Sequence, residues 1–221
     1  MTFEQHLRSY YRTAPVTAWI VAVNCAVWLA TAVQSRSVTG SYYHSSLALS
    51  WSLWGPEFSA GHYWQAVTSA FMHLGLGHLA VNMFLLVLIG REIETYLGSA
   101  RYALVYLATV LGASASIVWM AFTQPTAGAS GALFALMVVL VAVNYQRRTD
   151  LRAPIVLVVV NIAYTFLATG VSLWGHLGGV AVGVVLALCV AARNPKISGW
   201  GVAATVAAAF VLLVARAGLW G

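Results

Sequence analysis

The chain has 221 residues, of which 61% are hydrophobic and only 7% are charged. A soluble domain carries about a quarter charged residues, so this composition excludes one and indicates an integral membrane protein. The net charge of +6 does not indicate a nucleic-acid partner, because the basic residues are scattered at the ends of loops instead of forming a patch.

Seven apolar runs of spanning length follow one another along the chain. At about 20 residues per span they predict an all-α, polytopic membrane helix bundle in a single transmembrane domain, residues 1–221. The first run follows Arg8 and Arg12 like a signal peptide, but its apolar stretch is longer than a typical signal core, which favours a retained anchor. The runs are residues 16–33, 79–97, 101–122, 129–145, 154–170, 174–192 and 200–218.

The lysines and arginines predict the orientation of these runs. With residues 1–15 in the cytoplasm, nine of the eleven basic residues lie on the inner side, and only Arg36 and Arg216 lie outside. We therefore expect a cytoplasmic N-terminus, location in the plasma membrane, and a second, fourth and sixth run that descend from the outer face. The nine inner residues are Arg8, Arg12, Arg91, Arg101, Arg147, Arg148, Arg152, Arg193 and Lys196.

The connection from residue 34 to residue 78, which we call the long connection, lies outside by the same count. Tryptophan and tyrosine at high density suit a segment in the lipid headgroup region better than a free aqueous domain. We expect a membrane-associated loop. Its large aromatic residues are Trp51, Trp54, Phe58, Tyr63 and Trp64.

Each inward-running helix carries polar residues near its outer start. His78 and Asn82 are four residues apart in the second run and share one helix face. Ser130 opens the fourth run and His176 opens the sixth. All four side chains are therefore predicted to lie near the outer leaflet at similar depth.

A hydroxyl and an imidazole inside lipid are costly unless they have partners or a function. Ser130 near a helix N-terminus suits the negative charge of a tetrahedral intermediate. His176, kept neutral by burial, is able to accept the serine proton. His78 and Asn82, with the Ser130 amide, would then donate hydrogen bonds to the oxyanion. Close approach of the fourth and sixth helices is favoured by Gly128, Gly131, Gly179 and Gly183.

Other intramembrane hydrolases are excluded by residues that the sequence lacks. It contains no His-Glu-x-x-His run, and its single aspartate, Asp150, lies in a predicted cytoplasmic loop. We expect no metal and no cofactor. Because no carboxylate is placed to orient His176, the mechanism would use a serine–histidine dyad and not a triad.

Each polar residue also has a purely structural interpretation. A transmembrane serine often only packs, and an intramembrane histidine often only bonds to a neighbouring helix. His78 and Asn82 could equally bridge helices. The alternative function is a non-catalytic membrane binding protein or transporter whose polar site holds a substrate or relays protons.

Taken together, the chain resembles the rhomboid family of intramembrane serine proteases from about residue 16 to residue 192. The resemblance implies a six-helix core, with 200–218 as an extra seventh span, and an L-shaped outer loop. It implies Ser130 as nucleophile, His176 as base, and His78 and Asn82 in the oxyanion hole. It rests on Trp64, His73, His78, Asn82, Glu94, Gly98, Arg101, Gly128-Ala129-Ser130-Gly131, His176, Gly179 and Gly183.

The sequence departs from the family pattern at three positions. Gln65 follows Trp64 where relatives often have arginine, and Ser172 stands where many have aspartate. Phe134 replaces a tyrosine of some members, which keeps ring stacking on His176 but loses the hydroxyl. We expect an endopeptidase that cuts membrane-anchored proteins near the outer end of a transmembrane segment, with His73 among the residues lining its cavity.

Overall fold

The computed structural model describes residues 3–192 and 194–218, and this part of the chain contains helices and no strand. Residues 1–2, 219–221 and Arg193, which was counted for the orientation, lie outside it. Among the described residues, six helices are long and apolar enough to cross a membrane, which confirms the predicted helical membrane bundle. They are α2 (Pro15–Ser35), α6 (Leu76–Leu97), α7 (Ser99–Met120), α8 (Ser130–Arg147), α10 (Leu173–Ala191) and α11 (Pro195–Gly218).

The fifth predicted run forms a shorter helix, α9 (Arg152–Leu167), of 16 residues. At 1.5 Å per residue it is about 24 Å long, less than the roughly 30 Å of a hydrocarbon core. The prediction extended it to residue 170, but Gly170 has a φ of +76° that a continuing helix excludes. Only Pro154 and Thr165 of α9 are buried, so this helix lies at the edge of the bundle.

Two parts of the chain outside the runs are also helical. Residues 3–13 form α1 (Phe3–Thr13), and Tyr10 from this helix donates a hydrogen bond to the Val87 carbonyl of α6 at 2.8 Å. The long connection, residues 36–75 in the structure, holds α3 (Ser46–Trp51), α4 (Gly55–Ser59), α5 (Gln65–Thr68) and one 3₁₀ turn (Ser69–Phe71).

A buried carboxylate joins α2 to α6 and α7. Glu94, 1% exposed, accepts hydrogen bonds from the backbone amides of Val16 (2.9 Å) and Thr17 (2.8 Å) in the first turn of α2. Its oxygens also accept from the hydroxyls of Thr17 and Ser99, both at 2.7 Å. The negative charge lies at the positive end of α2, where it satisfies amides that have no partner within the helix.

The long connection is held against the loop that leads into α8. Leu53 and Thr126 exchange two backbone hydrogen bonds of 2.9 Å, and the Gly128 amide donates to the Ser69 carbonyl at 2.9 Å. Gln65 is fully buried: its carbonyl oxygen accepts from the Trp54 amide and its amide donates to Glu57 at 2.8 Å. Gln65, one of the three residues that depart from the family pattern, therefore links two segments of the long connection.

The seventh span packs beside α7. Arg216 of α11 donates from Nε to the Val118 carbonyl in the last turn of α7 at 2.9 Å. Its guanidinium carbon lies 4.2 Å from the centre of the Phe122 ring, within cation–π range. These contacts give an arginine at the predicted outer end of the bundle specific partners.

Candidate active site

Ser130 and His176 lie in hydrogen-bond contact across the α8–α10 interface. The distance between Ser130 Oγ and His176 Nε2 is 2.9 Å. Ser130 is the first residue of α8, and His176 lies in the first turn of α10. The two helices begin at the same end of the bundle, which is the end that the sequence predicts to be outer.

Two contacts position the imidazole of His176: an aromatic ring stacks on its face, and a serine caps the helix that carries it. The Phe134 ring stacks on it with centroids 4.1 Å apart and an angle of 11° between planes. Ser172 caps α10: its hydroxyl accepts a hydrogen bond from the Gly175 amide at 3.2 Å. Serine and aspartate are both good N-cap residues, so the departure at Ser172 keeps the capping function.

Glycines allow the two helices to come this close. A Cβ built on Gly179 would overlap the carbonyl oxygen of Gly131, one residue beyond Ser130. A Cβ on Gly183, one turn further along α10, would lie 2.8 Å from both the Cα and the carbonyl oxygen of Ala135. The two backbones are therefore in direct contact, which is the geometry that a short side-chain bond between them requires.

His78 lies beside the serine. Its Nδ1 accepts a hydrogen bond from the Leu74 amide at 3.4 Å, which leaves Nε2 as the protonated donor. A Cβ on Gly128 would lie 3.1 Å from that Nε2 and 3.7 Å from Ser130 Oγ. Gly128 has a φ of +135°, so both its backbone conformation and the neighbouring imidazole exclude a side chain there.

Asn82 is buried one turn further along α6. Its amide nitrogen Nδ2 has no hydrogen-bond partner among the described residues, although a buried donor of this kind normally has one. Asn82 borders a cavity of about 520 Å³ that also reaches α8, α9 and α10. The polar and aromatic residues lining this cavity are His78, Asn82, Ser130, Phe134, Asn161, Tyr164, Ser172 and His176.

His73 lies behind His78 and is not among the residues that line the cavity. Their ring centroids are 5.0 Å apart, and His73 is 1% exposed. Burial, followed by the nearby His78, lowers the pKa of His73 to about 3. His73 therefore stays neutral at physiological pH.

The structure adds one contact to the site that the sequence analysis missed. Thr165 of α9 lies 2.8 Å from His176, Oγ1 to Nδ1, on the side of the imidazole opposite Ser130. A single threonine in an apolar run usually bonds only to its own helix, so the sequence contains no signal that would have distinguished it.

A model of the rhomboid domain matches residues 60–193, which is more than half of the chain and includes every residue of this site. The chain belongs to the rhomboid family. It is therefore an integral, multi-pass membrane protein, in agreement with its six long apolar helices.

Several curated proteins are similar to this rhomboid-family chain. Rhomboid protease GluP of Bacillus subtilis is 34% identical over 147 residues, 64% of this chain and 28% of GluP. Human rhomboid-related protein 3 is 30% identical over 146 residues, 58% of this chain and 36% of that protein. The chain thus spans about a third of these two relatives. YdcA of Bacillus subtilis is 26% identical over 204 residues, which cover 87% of this chain and 97% of YdcA.

Proposed function

We propose that this protein is an intramembrane serine endopeptidase that cleaves membrane-anchored proteins near the extracytoplasmic face. The observation that carries the proposal is the 2.9 Å contact between Ser130 Oγ and His176 Nε2 beside a cavity of about 520 Å³. Family membership and the relative named as a protease support the same reaction class.

In this proposal Ser130 is the nucleophile and His176 is the base. His176 Nε2 accepts the proton from Ser130 Oγ as this oxygen attacks the scissile carbonyl carbon. The protonated imidazole then gives the proton to the leaving amine, and the acyl group stays on Ser130. A water molecule, deprotonated by the same imidazole, releases the acyl group as a carboxylic acid and restores the serine.

The negative charge on the carbonyl oxygen needs donors. His78 supplies an Nε2–H beside Ser130, and Asn82 supplies an Nδ2 that has no other partner among the described residues. Donors fixed in this way typically contribute about 3–4 kcal/mol each to transition-state stabilisation. Their side chains come from a different helix than the serine, so the oxyanion site depends on α6 keeping its position against α8.

The expected substrates are transmembrane segments that unwind. A helix protects its peptide bonds by internal hydrogen bonding, so glycine, proline or other weak helix formers are expected near the cut. Val81 on α6 and Tyr164 on α9 line the cavity and are 61% and 58% exposed. The cavity therefore reaches the lipid-facing surface between these helices, which supports lateral entry of the substrate. In this proposal the N-terminus of the protease itself lies in the cytoplasm.

The proposal is tested with the purified chain in proteoliposomes and a single-span substrate that carries a glycine-rich segment near its outer end. We expect cleavage by the wild type and its loss in Ser130→Ala and in His176→Ala, with unchanged thermal unfolding for the serine variant. His78→Ala and Asn82→Ala should lower the rate partially. Cleavage that continues in Ser130→Ala would favour the alternative of a non-catalytic binding protein or transporter.

A further inference from the structure

Thr165 occupies an unusual position on an exposed helix. The outer half of α9 presents Tyr164, Phe166 and Leu167 to the surroundings, with 58%, 64% and 83% of their surface exposed. Thr165 lies between them and is 5% exposed. Its hydroxyl lies 2.8 Å from His176 Nδ1, so the single buried side chain in this half of α9 contacts the proposed catalytic base.

The two contacts of the Thr165 hydroxyl indicate which nitrogen of His176 carries the proton. A hydroxyl has one proton, and Thr165 Oγ1 donates it to the Asn161 carbonyl at 3.0 Å. The same oxygen lies 2.8 Å from His176 Nδ1. Because the Asn161 carbonyl can only accept, both contacts are hydrogen bonds at the same time only when Thr165 accepts from a protonated Nδ1. A neutral imidazole protonated on Nδ1 has its lone pair on Nε2, which is the nitrogen facing Ser130.

We propose that Thr165 is a positioning residue for the dyad: it holds His176 in the tautomer that accepts the serine proton. This inference rests on the proposed function. It gives Thr165 the orienting role that a carboxylate has in a catalytic triad, but without a negative charge. With the opposite tautomer, Nε2–H would point at Ser130 Oγ and the imidazole would be unable to act as a base. Because α9 also lines the cavity, the helix that a substrate contacts also orients the base.

The kinetic test compares three variants in proteoliposomes. Thr165→Val keeps the shape of the side chain and removes the hydroxyl, and we expect kcat to fall about 10-fold or more with KM changed less than 2-fold. Thr165→Ser keeps the hydroxyl and should restore at least half of the wild-type kcat. Thr205→Val is the matched control, because buried Thr205 of α11 also donates to a carbonyl four residues back, that of Gly201. It should have wild-type kinetics.

The tautomer itself is read by nitrogen NMR of protein labelled with ¹⁵N-histidine in lipid bilayers. Protonated and unprotonated nitrogens of a neutral imidazole have well-separated shifts, and subtraction of the His176→Ala spectrum assigns the signals of His176. We expect Nδ1 protonated in the wild type and in Thr165→Ser, and a mixture or Nε2 protonated in Thr165→Val.

Each outcome decides one of two questions. A wild-type kcat in Thr165→Val, an equal loss in Thr165→Val and Thr165→Ser, or wild-type protein protonated on Nε2 would overturn the positioning role. The NMR measurement on the wild-type protein decides the question even if the Thr165→Val variant does not fold. Failure of the proposed function looks different: the wild type would not cleave, or Ser130→Ala would cleave equally well.

Discussion

Substitution of Gly179 by alanine changes the distance between the two helices of the site without altering any of its polar side chains. The added methyl group would overlap the Gly131 carbonyl oxygen, which is backbone and therefore unable to rotate away. To reach van der Waals contact, α10 has to move from α8 by on the order of 1 Å. The 2.9 Å bond between Ser130 and His176 crosses this same interface.

Two effects of different size should follow from this displacement. Overpacking of this kind lowers the free energy of unfolding by about 1–3 kcal/mol, which a stable bundle tolerates. A misplacement of about 1 Å between nucleophile and base costs about 100-fold in rate, or about 2.7 kcal/mol of transition-state stabilisation. We therefore expect a folded Gly179→Ala protein that has lost nearly all of its activity.

Cleavage in proteoliposomes and thermal unfolding in the same lipid measure the two effects separately. The control is Gly199→Ala on α11, where the nearest atom to an added Cβ, a guanidinium nitrogen of Arg101, lies 3.9 Å away. We expect it to retain the wild-type rate. A Gly179→Ala protein with the wild-type rate would refute the argument that direct backbone contact positions the dyad.

Two further predictions concern stability. Glu94→Gln should lower the free energy of unfolding by about 2 kcal/mol, because an NH₂ group replaces an oxygen that accepts from buried donors. The control is Glu92→Gln, which loses only a surface ion pair with Arg147 and should change the free energy of unfolding by less than about 1 kcal/mol. Equal losses for the two variants in denaturant titrations would contradict the role of Glu94. Because the pKa of His73 is lowered to about 3 in the folded protein, its unfolded form binds a proton below about pH 6.5 that the folded form does not. Stability should therefore fall from about pH 6.5 towards pH 3 by up to about 1.4 kcal/mol per unit, and His73→Gln should reduce this slope; an unchanged slope would contradict the assignment.

The sequence was sufficient to predict the membrane bundle because its signals are local. Spanning length and hydropathy depend only on neighbouring residues, so the six long helices lie within a few residues of their predicted bounds, except that α11 begins at Pro195 and not at residue 200. The end of α9 was predicted three residues too late, because an apolar run does not show where its helix ends. The helices of the long connection were missed because segments of four to six residues carry no periodic pattern.

The site was predictable to the extent that it depends on the order of the helices. Alternating directions place the starts of α6, α8 and α10 together, and the structure has His78, Ser130 and His176 at these starts. The contact of Thr165 with His176 depends instead on how α9 rotates and tilts against α10, which is set by packing between helices. No periodicity in the sequence encodes that rotation.

The most direct test of the proposed dyad is covalent labelling with a fluorophosphonate that reacts only with activated serines. We predict that the wild-type protein in its membrane is labelled, that mass spectrometry places the adduct on Ser130, and that both Ser130→Ala and His176→Ala abolish labelling. An adduct on another residue, or labelling that persists in Ser130→Ala, would contradict the assignment of Ser130 as the nucleophile.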